Sequence, residues 1–173
     1  MGNNLKFLGQ HWTTWLRDIA IGGAIIAGVL FWQSLDMVER DGSVRIPNTV
    51  LPTLDGGQSS LFLEDKQTLV YFFAPWCQVC HLSIGNLEYL DESNVKIVRI
   101  ALDYESVNDV AAFAKQHDIN SQIMLGNAAV KHKFKVTAYP TYYLLDENQN
   151  IIGGSKGYST AAGLKLREYL LSI

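Results

Sequence analysis

Residues 68–80 read TLVYFFAPWCQVC. The first seven form one unbroken run of β-branched, aromatic and apolar residues, the pattern of a strand buried on both faces. Pro75 closes that strand. From Cys77 the residues suit a helix over about residues 77–90, with Leu82, Leu87 and Leu90 as its inward positions. The chain has two cysteines, Cys77 and Cys80, and this stretch holds both. What they are for decides how the rest is understood.

Three uses compete. As a staple the pair is weak, because closing a four-residue loop yields about 2 kcal/mol, against about 4.7 for a hundred-residue loop. The chain of 173 residues is also long enough to bury a core without one. As a zinc site the pair lacks ligands: there is no second Cys-x-x-Cys, and apart from His81 the histidines (His11, His117, His132) are scattered. Two thiolates suffice for Cu(I), so a copper-binding role stays open. As a redox centre the pair is well placed. Cys77 starts a helix directly after a buried strand, where unpaired N–H groups stabilise a thiolate. Cys80, one turn on, can resolve a mixed disulfide. Pro75 and Trp76 would hold the turn and shield one side, although a Trp here also suits plain packing.

Outward from this centre, two short apolar runs flank Asp55-Gly56-Gly57, a hairpin signal within residues 48–63. Residues 95–102 (VKIVRIAL) are a second buried strand. Residues 106–119 form a helix capped by Ser106 with Asp109 three residues later, with Val107, Val110, Ala111 and Ala114 at helical spacing. Residues 121–126 suit a short strand and 127–134 a short helix. Residues 141–146 (TYYLLD) and 150–155 (NIIGGS) suit a hairpin, and residues 160–171 a last helix capped near Ser159. Strand–helix–strand units imply parallel pairing in the first half and antiparallel strands at the end.

Residues 19–35 (IAIGGAIIAGVLFWQSL) differ in kind: no residue is charged. As a helix they span about 25 Å, close to a hydrocarbon core of about 30 Å. Trp12, Trp15 and Trp32 suit the headgroup belts. No small-x-small cleavage site follows, which argues for an uncleaved anchor over a signal peptide. Lys6 and Arg17 precede the run, while Asp36, Glu39 and Asp41 follow it. That asymmetry places the N-terminus in the cytoplasm and the remainder across the membrane. The small pairs Gly23/Ala27 and Ala24/Gly28 could form a helix-pairing face. The expected organisation is residues 1–18 cytoplasmic, 19–36 transmembrane, 37–46 a polar tether and 47–173 the domain. Net charge is −3 with no basic stripe, which argues against nucleic-acid binding.

Together, two motifs point to a family. TLVYFFAPWCQVC resembles the strand–Trp-Cys-x-x-Cys–helix of thioredoxin-like proteins. About sixty residues later VTAYPTYYLLD (residues 136–146) resembles their cis-proline loop, with Pro140 in the cis position. The resemblance covers residues 47–173. It implies an α/β thioredoxin-like fold, a central mixed sheet flanked by helices with an N-terminal β-hairpin extension, here preceded by one transmembrane helix. With the anchor, the Cys-x-Val-Cys motif and the late GYSTAAGLKLR segment, the chain resembles the membrane-anchored periplasmic branch (TlpA/ResA-like) related to cytochrome-maturation reductases. Within it the likeness is nearest to the suppressor-for-copper-sensitivity D type.

That resemblance implies a thiol:disulfide oxidoreductase of the inner membrane with its domain in the periplasm, a reductase or electron relay. Its nucleophile would be Cys77 and its resolving thiol Cys80, with Trp76, Gln78, Val79, Tyr139 and Pro140 around the substrate. It implies no cofactor beyond the Cys77–Cys80 disulfide, and no metal. The implied partners are disulfide-containing periplasmic clients and, as electron donor, a membrane thiol transporter of the DsbD/ScsB type. A copper-binding chaperone or copper-tolerance assembly factor of the same fold is the alternative. Two departures stand out. Thioredoxin's buried Asp, six residues before the first cysteine, is Tyr71 here, and the branch's Glu, three residues after the second, is Ser83. The proton of the resolving thiol must go elsewhere, with water, Tyr71, Glu88 or Asp103 as candidates, although both carboxylates also suit a solvated surface. His81 could stabilise a thiolate or be a bystander, and His132 belongs to a basic surface turn.

Overall fold

In the computed structural model, the backbone is described for residues 4–35, 37–62, 66–93 and 95–171, and side chains for residues 14–29, 37–62, 66–93 and 95–166. The apolar run becomes β3 of the structure, Gln67–Phe73, and every residue of it from Thr68 on is buried. It can be apolar throughout because both faces are covered. Leu69, Tyr71 and Phe73 enter one core layer, and Val70 and Phe72 the other.

Before it lie α1 (Asn4–Leu35), β1 (Val50–Pro52) and β2 (Gln58–Ser60). After it come α2 (Gln78–Ser83), a 3₁₀ segment (Ile84–Tyr89), β4 (Val95–Ala101), α3 (Val107–Gln116) and β5 (Ile123–Leu125). The chain continues with α4 (Ala128–Lys133), β6 (Thr141–Leu145), β7 (Ile151–Lys156) and α5 (Ala161–Leu171). The main sheet has the order β5-β4-β3-β6-β7. Its β3–β4 and β4–β5 pairs are parallel, while β3–β6 and β6–β7 are antiparallel. This is the expected mixed sheet, with crossover helices producing the parallel half. The β1–β2 hairpin turns at Asp55, whose carboxylate accepts from the Thr53 hydroxyl and from the Gly57 N–H.

The chain divides into two compact units, Met1–Asp36 and Met37–Ile173. In the first, the apolar run is helical within α1, with Ile19, Ile21, Ile25, Ile26 and Val29 exposed. The last part of the expected 19–36 span, and the side chains of Trp12 and Trp32, lie outside the described residues. Among the described residues no helix is long and apolar enough to cross a membrane.

In the second unit the expected tether, residues 37–46, is instead part of the domain. Met37, Val38 and Ile46 are buried in the layer that holds Phe72 and Tyr143. The backbone of this segment runs along β7, with Gly42 N–H to Ile151 O, Ile151 N–H to Val44 O and Ile46 N–H to Gln149 O. Gly154 makes room for it. A Cβ there would lie 3.0 Å from Met37 Cε and 2.9 Å from the Tyr142 carbonyl oxygen. Polar residues conceal the segment's alternation: the apolar side chains turn in while Glu39, Asp41 and Ser43 stay exposed.

Two helices keep only part of the inward face expected of them: Leu87, Leu90, Val110 and Ala114 are buried, while Leu82, Val107 and Ala111 are not. In the first, Leu82 is 73% exposed, and the inward stripe is Cys80, Ser83, Ile84 and Leu87, with Leu90 beyond. The helix also shortens, passing into 3₁₀ geometry at Ile84. In α3, Val107 and Ala111 face outward while Val110, Phe113 and Ala114 are buried. Phe113 sets that phase by stacking on Phe73, with ring centroids 4.8 Å apart. The capping box at Ser106 and Asp109 forms as expected. At α5 the cap, expected near Ser159, is the adjacent Thr160, whose hydroxyl accepts from the Gly163 N–H.

Candidate active site

Cys77 sits between β3 and α2, in extended backbone geometry (φ −81°, ψ 108°) as the cap of that helix. It is disulfide-bonded to Cys80, with Cα atoms 5.2 Å apart. The two sulfurs are not equivalent. Cys77 is 6% exposed and Cys80 wholly buried, so an incoming group reaches Cys77 first. The Cys80 N–H, which also reaches the Cys77 carbonyl at 3.0 Å, donates to Cys77 Sγ at 3.1 Å. That donor favours negative charge on Cys77 once the pair is reduced.

Pro140 follows a cis peptide bond from Tyr139, as expected, and is buried. Its carbonyl accepts from the Gly157 N–H at 2.8 Å. Trp76 is 60% exposed, yet its indole N–H donates to the Asp103 carbonyl at 2.8 Å. It meets Tyr139 edge to face, with ring centroids 5.7 Å apart. Gln78 and Val79 open α2 on the exposed side. A groove of about 340 Å³ beside Trp76 is lined by Pro75, His81, Tyr104, Asp109 and Phe113 among others.

Tyr71 and Ser83, the two departures from the family pattern, touch each other. Tyr71 Oη lies 3.1 Å from Ser83 Oγ in the buried layer under α2. Ser83 reaches the Cys80 carbonyl at 3.5 Å, which leaves Tyr71 to donate to it. Burial first, and then the neighbouring Tyr142, push the Tyr71 pKa up. A phenol held neutral carries no charge with which to take a proton. Of the carboxylates, Glu88 is exposed, as expected of a solvated group. Asp103 is not simply solvated: Lys131 and the Tyr139 hydroxyl both donate to it.

His81 is no bystander. Its Nε2 lies 3.0 Å from the Pro75 carbonyl and its Nδ1 2.7 Å from His117 Nε2. A carbonyl only accepts, so Nε2 carries the hydrogen, and in neutral His81 the Nδ1 lone pair accepts from His117. Sequence reasoning missed His117, which is 36 residues away. Its signal was weak: one His just past the end of an amphipathic helix. His132 is exposed, as a basic surface turn requires, but its neighbour Lys131 is engaged at the site through Asp103. Among the described residues no group of three or more His, Cys, Asp or Glu could hold a metal ion.

Strand, capping cysteine, buried second cysteine and cis-proline loop together define a thioredoxin-like protein. The chain belongs to the Redoxin family, whose profile matches residues 42–168. It is 33% identical over 109 residues to the thioredoxin-like protein YneN of Bacillus subtilis (strain 168), covering 60% of this chain. The chain spans 64% of the length of that relative. Among solved structures it is similar to StoA from Bacillus subtilis, with TM-score 0.63 and 23% identity over 69% of this chain and 95% of that one. It is likewise similar to a thioredoxin-family thiol:disulfide interchange protein from Chlorobium tepidum TLS, with TM-score 0.64 and 23% identity over 73% and 94%. These structural likenesses are likenesses of fold.

Proposed function

We propose that the chain is a thiol:disulfide oxidoreductase of the protein-disulfide reductase type, working through Cys77 and Cys80. The observation that carries this is the asymmetry of the pair: an accessible helix-capping sulfur backed by a buried one. In the reduced protein the Cys77 thiolate attacks one sulfur of a client disulfide. A mixed disulfide forms and the client's other sulfur leaves as a thiolate. Cys80 then loses its proton and attacks Cys77 Sγ. The Cys77–Cys80 disulfide forms, and the client departs with two thiols. Trp76, Gln78, Val79, Tyr139 and Pro140 are the residues proposed to meet the client beside that sulfur. Tyr71 and Ser83 are spent on each other, so neither is proposed as the acceptor for the Cys80 proton.

The working direction is reduction or electron relay, because the Gln78-Val79 dipeptide lacks the His that helps make strong oxidants of this fold. The reduction potential is expected nearer about −270 mV than about −120 mV, and a value at the oxidising end would reverse the direction. Residues 19–36 are the proposed inner-membrane anchor, with the domain in the periplasm. This rests on the uncharged run, the tryptophans around it and the basic residues before it. Clients would be disulfide-containing periplasmic proteins, and the donor a membrane-embedded thiol transporter.

The test is a Cys80→Ala variant in intact cells. It should accumulate mixed disulfides through Cys77 with client and donor, and these should vanish in a Cys77→Ser/Cys80→Ala double variant. Tight Cu(I) binding by the reduced chain, with no reduction of insulin, would overturn the proposal in favour of a copper-binding role.

A further inference from the structure

Asp103 follows β4 with a left-handed backbone, φ 48°. Aspartate tolerates this better than most residues. Its two halves face two different loops. The backbone carbonyl accepts the Trp76 indole N–H at 2.8 Å. The carboxylate accepts the Tyr139 hydroxyl at 2.9 Å and also pairs with Lys131. Lys131 lies 5.9 Å from the centroid of the Tyr139 ring, which itself meets Trp76 edge to face. Trp76 directly precedes Cys77, and Tyr139 directly precedes Pro140. One residue therefore ties the turn that carries the more accessible of the two cysteines to the cis-proline loop.

Stability does not account for this arrangement. Lys131 and Asp103 are more than a third exposed, and such ion pairs contribute little. What the carboxylate does supply is direction. Without it the Tyr139 hydroxyl loses a charged acceptor, and the ring is free to turn away from Trp76. We propose that Asp103 is a positioning residue for disulfide exchange, fixing Trp76 and Tyr139 so that a client polypeptide meets preset aromatic walls beside Cys77. This rests on the exchange activity proposed above. Asp103 does not touch the reacting sulfurs and is not a proton acceptor in this role. Its contribution falls on client binding.

The test uses the full chain in detergent, with insulin as client and dithiothreitol as electron donor. Asp103→Gly removes the carboxylate while permitting the positive φ. It should raise KM for insulin about tenfold, the scale of a lost hydrogen bond to a charged group, with kcat changed less than threefold. Asp103→Asn keeps an oxygen acceptor and should recover most of that KM. Tyr139→Phe removes only the hydroxyl. It should raise KM severalfold alone and add nothing in the Asp103→Gly background, as coupled partners do. An unchanged KM in Asp103→Gly, a lowered kcat without a change in KM, or additivity of the two changes would overturn the proposal. If Asp103→Gly does not fold, Tyr139→Phe decides alone. If the unmodified chain fails to reduce insulin, the exchange activity itself is refuted, and this role with it.

Discussion

Around Cys80 the side chains have exchanged the chemistry of the resemblance for another. Where the family pattern has carboxylates, Tyr71 and Ser83 form a neutral hydrogen bond beneath α2. A pair of imidazoles lies nearby instead, where His81 links the Pro75 turn to His117. Burial first, and then repulsion from His81, hold the His117 pKa below the usual histidine range, against a smaller pull from Asp118. The sign follows from linkage. A His whose folded value is depressed binds fewer protons in the native state. Its contribution to stability is present above the ordinary value of about 6.5 and is lost as pH falls through the folded value. Urea midpoints should therefore drop between pH 7 and pH 5, and drop less in His117→Gln. Equal slopes in the two proteins would refute the assignment.

For the elements, helical phase was legible in part: Leu87, Leu90, Val110 and Ala114 face inward as expected, and Leu82, Val107 and Ala111 do not. Leu82 was expected inward and points to solvent, while Ile84 takes the buried place. Periodicity allows more than one phase when apolar residues are dense. Here the disulfide settles it, because Cys80 must turn in behind Cys77. In α3 the partner on β3 decides: Phe113 stacks on Phe73, and Val107 and Ala111 turn out. Unfolding measurements separate the two roles. Ile84→Ala should cost about 2–5 kcal/mol, as for a buried aliphatic truncation. Leu82→Ala should cost under about 0.5 kcal/mol, as for an exposed position. Equal losses at both positions would restore the original phase.

Over the whole molecule, the boundary of the second unit is the main revision. The resemblance began at residue 47, but the folded unit begins at Met37. Met37, Val38 and Ile46 fill the layer shared with Phe72 and Tyr143, and the Val38 N–H donates to the Tyr143 hydroxyl at 3.2 Å. A chain starting at residue 37 should therefore fold as the second unit does. One starting at residue 47 loses three buried side chains and the bonds along β7. It should unfold at markedly lower urea, with at least about 3 kcal/mol lost. Coincident unfolding curves would show that the segment contributes nothing.

Local patterns were enough for much of this protein. The continuous run from Thr68 to Ala74 marked the central strand because only a strand covered on both faces tolerates it. The Ser106 and Asp109 spacing marked a helix start, and Cys77, Cys80 and Pro140 lay in motifs short enough to see. Tertiary structure decided what depends on distant partners. It brought His117 to His81 and Ser83 to Tyr71. It laid residues 37–46 along β7, and it joined Trp76, Tyr139 and Lys131 at Asp103. The reason is physical: a strand or a cap is specified by neighbours a few residues away, which sequence displays directly. A hydrogen bond across 28 or 36 residues exists only once the sheet has brought its partners together.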